Sequence, residues 1–173
     1  MIASRVLAAA LSLLLCACIS FGRLQPASPV AVDAGRAASL ISGFRAGQGL
    51  APVHVDSRLM RVAGAQALAM AERDKMGHFV AGSLSRRVSN AGYDWGVMAE
   101  NLGRLYPNLD TAIAGWKASA GHRANLLNPG VTDMGIAAAV SGSGHLYWAL
   151  VLAVPRPPRE LQTAGPFGIT LTQ

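Results

Sequence analysis

Two cysteines, four histidines and nine acidic residues are the groups of this 173-residue chain that could support covalent, acid–base or metal chemistry. Both cysteines lie in Leu15-Cys16-Ala17-Cys18, so the rest of the chain can form neither a disulfide nor a cysteine nucleophile. Ser119 stands three residues before His122 without the flanking pattern of a nucleophile elbow, and a serine hydrolase is not indicated. The histidines, His54, His78, His122 and His145, are widely separated and none sits in a His-Glu-x-x-His pattern. Any site that uses them must therefore be assembled by the fold. Glu100 is one of three glutamates and lies in the apolar run Val97 to Gly103, where burial would oblige it to find a partner.

The cysteines point to lipid chemistry. Met1 to Ala17 has the layout of an export signal, with Arg5 followed by an apolar stretch from Val6 to Leu15. About ten residues are too few to span a bilayer. The segment ends in a pattern that resembles the bacterial lipobox, with a Leu three residues before, and a small residue just before, the cysteine that receives lipid. Acyl chains on Cys18 would bury enough CH₂ for stable anchoring; the alternative is an ordinary cleaved signal that contains cysteine. We expect a lipoprotein signal peptide over 1–17, a lipidated Cys18 and tether over 18–32, a folded domain over 33–155, and a Pro-containing tail over 156–173.

Composition limits the partners. Hydrophobic residues make up 51% and charged residues 14%, which excludes a solvated disordered chain. The net charge of +6 comes from basic residues that, apart from Arg5, are spread between Arg23 and Arg159 without a dense run, so nucleic acid is not an expected partner. A weakly cationic surface suits anionic lipid or acidic polymers better.

The elements that must position the polar groups are legible as periodicities. Leu40, Ile41 and Phe44 have helical spacing, and the helix should end near Ala46. Pro52 then forces an extended link. Asp56 and Ser57 can cap a long helix with Leu59, Met60, Ala63, Ala67, Leu68 and Met70 or Ala71 inside, closed at Met76-Gly77. Its alternating alanines permit close approach of a neighbouring layer. Ser83 or Ser85 opens a shorter helix closed by Gly92, Val97 to Gly103 reads as a strand, and Asp110 opens a helix through Trp116 that breaks near Gly121. Met134 to Val140 and Leu146 to Leu152 alternate on either side of Ser141-Gly-Ser-Gly144, the pattern of a hairpin. Helices around a small, largely antiparallel sheet make an α+β layered sandwich. Trp116, Tyr147 and Trp148 should be core.

Several segments together are similar to a known family. Arg45 to Val53, Met76-Gly-His78, Ala99-Glu-Asn-Leu-Gly103, Gly115-Trp-Lys-Ala-Ser-Ala-Gly-His-Arg-Ala-Asn-Leu-Leu127 and Tyr147-Trp-Ala-Leu-Val-Leu152 resemble a bacterial member of the CAP superfamily of SCP-like extracellular proteins. The resemblance implies a three-layer α-β-α sandwich with a surface cleft, and a cleft set of two His and two acids that in some members binds a divalent metal. Carried over by position, that set is His78, Glu100 and His122. The second acid has no counterpart, because Val80 to Asn90 offers only Ser83, Ser85, Arg86, Arg87, Ser89 and Asn90 as polar groups. Two imidazoles and a carboxylate suffice in principle to hold Zn²⁺ and acidify a water. The expected function is a non-catalytic cell-envelope lipoprotein that binds a small molecule, lipid or envelope partner; the alternative is a metal-dependent hydrolase of envelope material.

Overall fold

The computed structural model describes residues 26–157, so the signal segment, Cys18 and the end of the tail lie outside it. Asp33 accepts a hydrogen bond from the Arg36 backbone N–H and starts α1 (Ala34–Ala46). Asp56 does the same for Arg58 and Leu59 at the head of α2 (Ser57–Glu72). Next come α3 (Leu84–Asn90) and, after a capping box of Asn108 and Thr111, α4 (Leu109–Ala118). A kink at Ser119, whose backbone is extended, separates α4 from α5 (Ala120–Leu126).

The strands β1 (Ser28–Val30), β2 (His54–Val55), β3 (Trp95–Arg104), β4 (Asp133–Val140) and β5 (Leu146–Pro155) form one sheet in the order β1-β4-β5-β3. All pairings along this path are antiparallel, while β2 adds to β4 in parallel. Successive side chains of a strand point to opposite faces. Met134, Ile136, Trp148, Leu150 and Leu152 therefore pack with Ala37, Ile41, Ile113, Trp116 and Leu126 in one core. Ala139, Tyr147, Ala149, Val151 and Ala153 pack with Leu59, Ala63, Ala67, Met70 and Val88 in another. The hairpin is buried on both faces, which makes the α-β-α sandwich. Among the described residues no helix is long and apolar enough to cross a membrane.

Three boundaries differ from the periodicities. The second helix stops at Glu72 rather than Met76-Gly77, because Asp74 takes a left-handed backbone (φ 46) and accepts hydrogen bonds from Tyr147 Oη at 2.8 Å and Ser143 Oγ at 2.9 Å. The break in the fourth helix falls at Ser119, not Gly121, and helix resumes to Leu126. The tether expected over 18–32 ends early, since Ser28–Val30 already pairs with Ala138–Val140.

Two features fix the layers. The α2 face of β4 carries Gly135, where an added Cβ would lie 2.1 Å from the Leu59 carbonyl carbon. Glycine, with no Cβ, lets helix and strand backbones meet there. Arg45, at the end of α1, is completely buried without a carboxylate. Its Nε donates to Ala51 O at 2.7 Å, Nη1 to Leu126 O at 2.7 Å and Asn128 O at 2.9 Å, and Nη2 to Val131 O at 3.0 Å. Burial lowers its pKa from the ordinary value, and the four carbonyls accept hydrogen bonds from a guanidinium that stays charged.

Gly135→Ala would need α2 to move off the sheet as a backbone unit. The expected cost is about 3 kcal/mol, the upper end for overpacking, read as a lower melting temperature in thermal denaturation; an unchanged melting curve would mean that the two layers are not in contact at Leu59.

Candidate functional site

Glu100 and Asn101 are neighbours on the outer strand β3, so their side chains reach opposite layers. Glu100 points towards the segment that joins α2 to α3. Its side chain is 2% exposed, with Oε2 lying 2.8 Å from His78 Nδ1 and Oε1 accepting from Arg87 Nη2 at 2.7 Å. Asn101 points towards α5: its Nδ2 donates to the backbone carbonyl of His122 at 3.0 Å, and its Oδ1 accepts from Asn125 Nδ2 at 2.8 Å. Asn125 Nδ2 also lies 3.3 Å from Glu100 O. These contacts make Asn101 and Asn125 structural hydrogen-bonders. One dipeptide thus fastens both helical layers at the sheet edge.

His78 is half exposed and is joined to Glu100, as described. His122, on α5, is held through its backbone, and its ring makes no hydrogen bond to Glu100. Its Nδ1 is buried without a partner, as is Arg87 Nη1. Burial, with a smaller contribution from the His78 charge, lowers the His122 pKa from its ordinary value of 6.5.

Arg87 was not singled out by sequence reasoning, although its position in a segment without acids was visible. Besides Glu100 it reaches Gly82 O from Nε at 3.2 Å, which anchors it to the loop before α3. Gln66 was also missed. It is fully buried among the alanines of α2, donates to Gly77 O at 2.7 Å and accepts from the Ala81 N–H at 3.3 Å. A lone amide in an otherwise apolar helical stripe was its signal, and it positions the loop that carries His78.

A catalytic zinc site needs three protein ligands and an open position. Both Glu100 oxygens and His78 Nδ1 are engaged, which leaves His78 Nε2 and the His122 ring as open donors. Among the described residues no three His, Cys, Asp or Glu side chains come together to hold a metal. The residues present do not fit a resident zinc ion.

A second polar cluster lies at the other end of β5. His145 Nδ1 is 2.8 Å from Asp74 Oδ1 and 3.0 Å from Ser143 Oγ. A nucleophilic triad needs the acid and the hydroxyl on different ring nitrogens. Here both meet Nδ1, so the group is a clamp between the end of α2 and the hairpin turn. The hydrogen bonds from His145 and then Tyr147 hold the Asp74 carboxyl well below the ordinary range. His54 is exposed on β2.

With this geometry in hand, comparison with known proteins gives a consistent result. The sequence model of the cysteine-rich secretory protein (CAP) family matches residues 38–152. The chain is similar to the uncharacterised protein YkwD of Bacillus subtilis, 28% identical over 118 residues. That match covers 67% of this chain and 46% of YkwD, so the chain spans about half the length of the curated relative it matches. An outer surface protein from Borrelia burgdorferi superposes with a TM-score of 0.68 at 16% identity, over 75% of this chain and 98% of that one. An SCP-domain extracellular protein from Bacillus anthracis superposes at 0.61 and 21% identity, over 69% and 39% of the two chains. At these identities the superpositions show the fold.

The lowered His122 pKa sets a pH dependence. The unfolded chain binds a proton near pH 6.5 that the folded chain refuses until lower pH, so stability falls as pH drops below about 6.5. The Asp74 carboxyl loses its contribution only at more acidic pH, below its unfolded value. Melting temperature should therefore decline between pH 6.5 and 5, and His122→Gln should flatten that decline; an identical slope in the variant would assign it to other groups.

Proposed function

Because the chain belongs to the cysteine-rich secretory protein (CAP) family, we propose that it is a lipid-anchored module of the bacterial cell envelope whose edge cleft binds a ligand without transforming it. It is a CAP-domain protein of the extracellular type. The observation that carries the non-catalytic reading is Glu100: its side chain is 2% exposed and holds Arg87 with one oxygen and His78 with the other, so it is committed to a buried ion cluster and not presented to a substrate as a general base. The hydrolase reading would require that carboxylate as base or metal ligand.

The surface beside the cleft supports a ligand with an acidic head and an apolar body. A groove of about 460 Å³ is lined by Arg73, Lys75, Gly77, His78, Phe79 and Val80. Phe79 is 79% exposed, so the groove offers an uncovered aromatic next to two cations. Envelope lipids and acidic amphiphiles have this chemistry.

The anchor fits the same orientation. Pro26 and Ala27 lie in a depression shared with Ala71, Glu72 and Asp74, at the end of α2 from which the groove loop departs. Eight residue steps separate Cys18 from Pro26, and a fully extended chain of that length reaches roughly 28 Å. A lipid on Cys18 would hold this end of the domain near the bilayer, with Lys75 and Phe79 towards it.

Cys18→Ser should abolish lipid modification and either move the protein out of the detergent-extracted membrane fraction or leave an unprocessed precursor. Intact-mass measurement and fractionation check this, and a mature wild-type protein that begins beyond Cys18 without lipid mass would overturn the anchor. For the groove, acidic lipid should co-purify with the wild-type protein and be depleted in Phe79→Ser; equal lipid content in both would place the ligand elsewhere.

A further inference from the structure

We propose that Arg87 is a built-in cation that takes the place of a metal ion at Glu100, so that this cleft works without zinc and rejects it. The inference starts from a carboxylate that burial obliges to find positive charge. The Glu100 side chain is 2% exposed and that of Arg87 8%, and their atoms meet at 2.7 Å. The guanidinium is held in place independently of Glu100, by Nε on Gly82 O at 3.2 Å and by Nη2 near His78 O at 3.4 Å.

A divalent ion bound at Glu100 would sit against a fixed positive charge within a few ångströms, in surroundings that screen little. Arginine cannot relieve this by losing a proton, as a lysine or histidine in the same place could. Finally, Arg87 Nη1 is buried with no acceptor, so what the cluster lacks is an oxygen rather than another cation. The segment Val80 to Asn90 supplies no acid that could offset the guanidinium.

Zinc titration of the full-length protein in detergent, by calorimetry at neutral pH, tests this, and its readout does not depend on whether the groove binds an acidic lipid. The wild type should show no stoichiometric binding. Arg87→Gln should gain one zinc ion at least tenfold tighter than the wild type, and His122→Ala in that background should remove it. The proposal is overturned if the wild type binds one zinc ion that His78→Ala or His122→Ala abolishes, or if a folded Arg87→Gln binds no more tightly than the wild type. Circular dichroism reports folding, and if Arg87→Gln does not fold, Arg87→Met, which fills similar space without charge, takes its place with the same two outcomes.

Discussion

A guanidinium buried without a counter-ion is the constraint on which the arrangement rests. Leaving the charge of Arg45 unsatisfied in the interior would cost several kcal/mol, so its N–H groups need acceptors, and four of the five have one. They find them on carbonyls before α2, at the end of α5 and in the turn into β4. The link that follows α1 and the distant stretch from Leu126 to Val131 are thereby fixed to the end of α1. The short helix α5 has no side-chain cap at its start, and Arg45 takes the Leu126 carbonyl at its other end. His122 and Asn125 owe their positions to this anchorage as much as to the strand they face.

The cleft is then a consequence of strand geometry. Glu100 and Asn101 divide between them the two layers that the sheet separates: an ion cluster on the α3 side and an amide ladder on the α5 side. The ion cluster is internally neutralised by Arg87, and His78 Nε2 and the His122 ring are left without a partner in either group. A site of this kind is a pre-formed polar seam that shapes its neighbourhood, and the groove next to it carries the uncovered apolar surface.

Much of the architecture was legible because it rests on local rules. The Leu40, Ile41 and Phe44 spacing defines the body of α1, Asp56 defines the head of α2, and the alternation in β4 and β5 defines the hairpin. What escaped depended on distant partners. Asp74 stops α2 because Tyr147 and Ser143 reach it from the hairpin, and no pattern near Met76-Gly77 contains that information. β1 is three exposed residues whose only signature is their pairing with β4. In the cleft, Glu100 announced itself as a carboxylate in an apolar run that needed a partner. Its partner Arg87 did not, since one arginine in a polar helix of seven residues looks like any solvated side chain until the fold buries it.

The outer strand has a further property. With Leu105 N–H directed at β5, the carbonyls of Glu100 and Leu102 face away from the sheet, where an edge strand ordinarily offers them to another chain. Trp116 Nε1 donates to Leu102 O at 2.9 Å, and Asn125 Nδ2 reaches Glu100 O. Two side chains from the helical layer thus close the middle of an edge that would otherwise template intermolecular β-pairing. This blunting resists edge-to-edge aggregation without the prolines or edge lysines that many sheets use, and it makes the tryptophan a guard of colloidal stability as well as a filler of the interior.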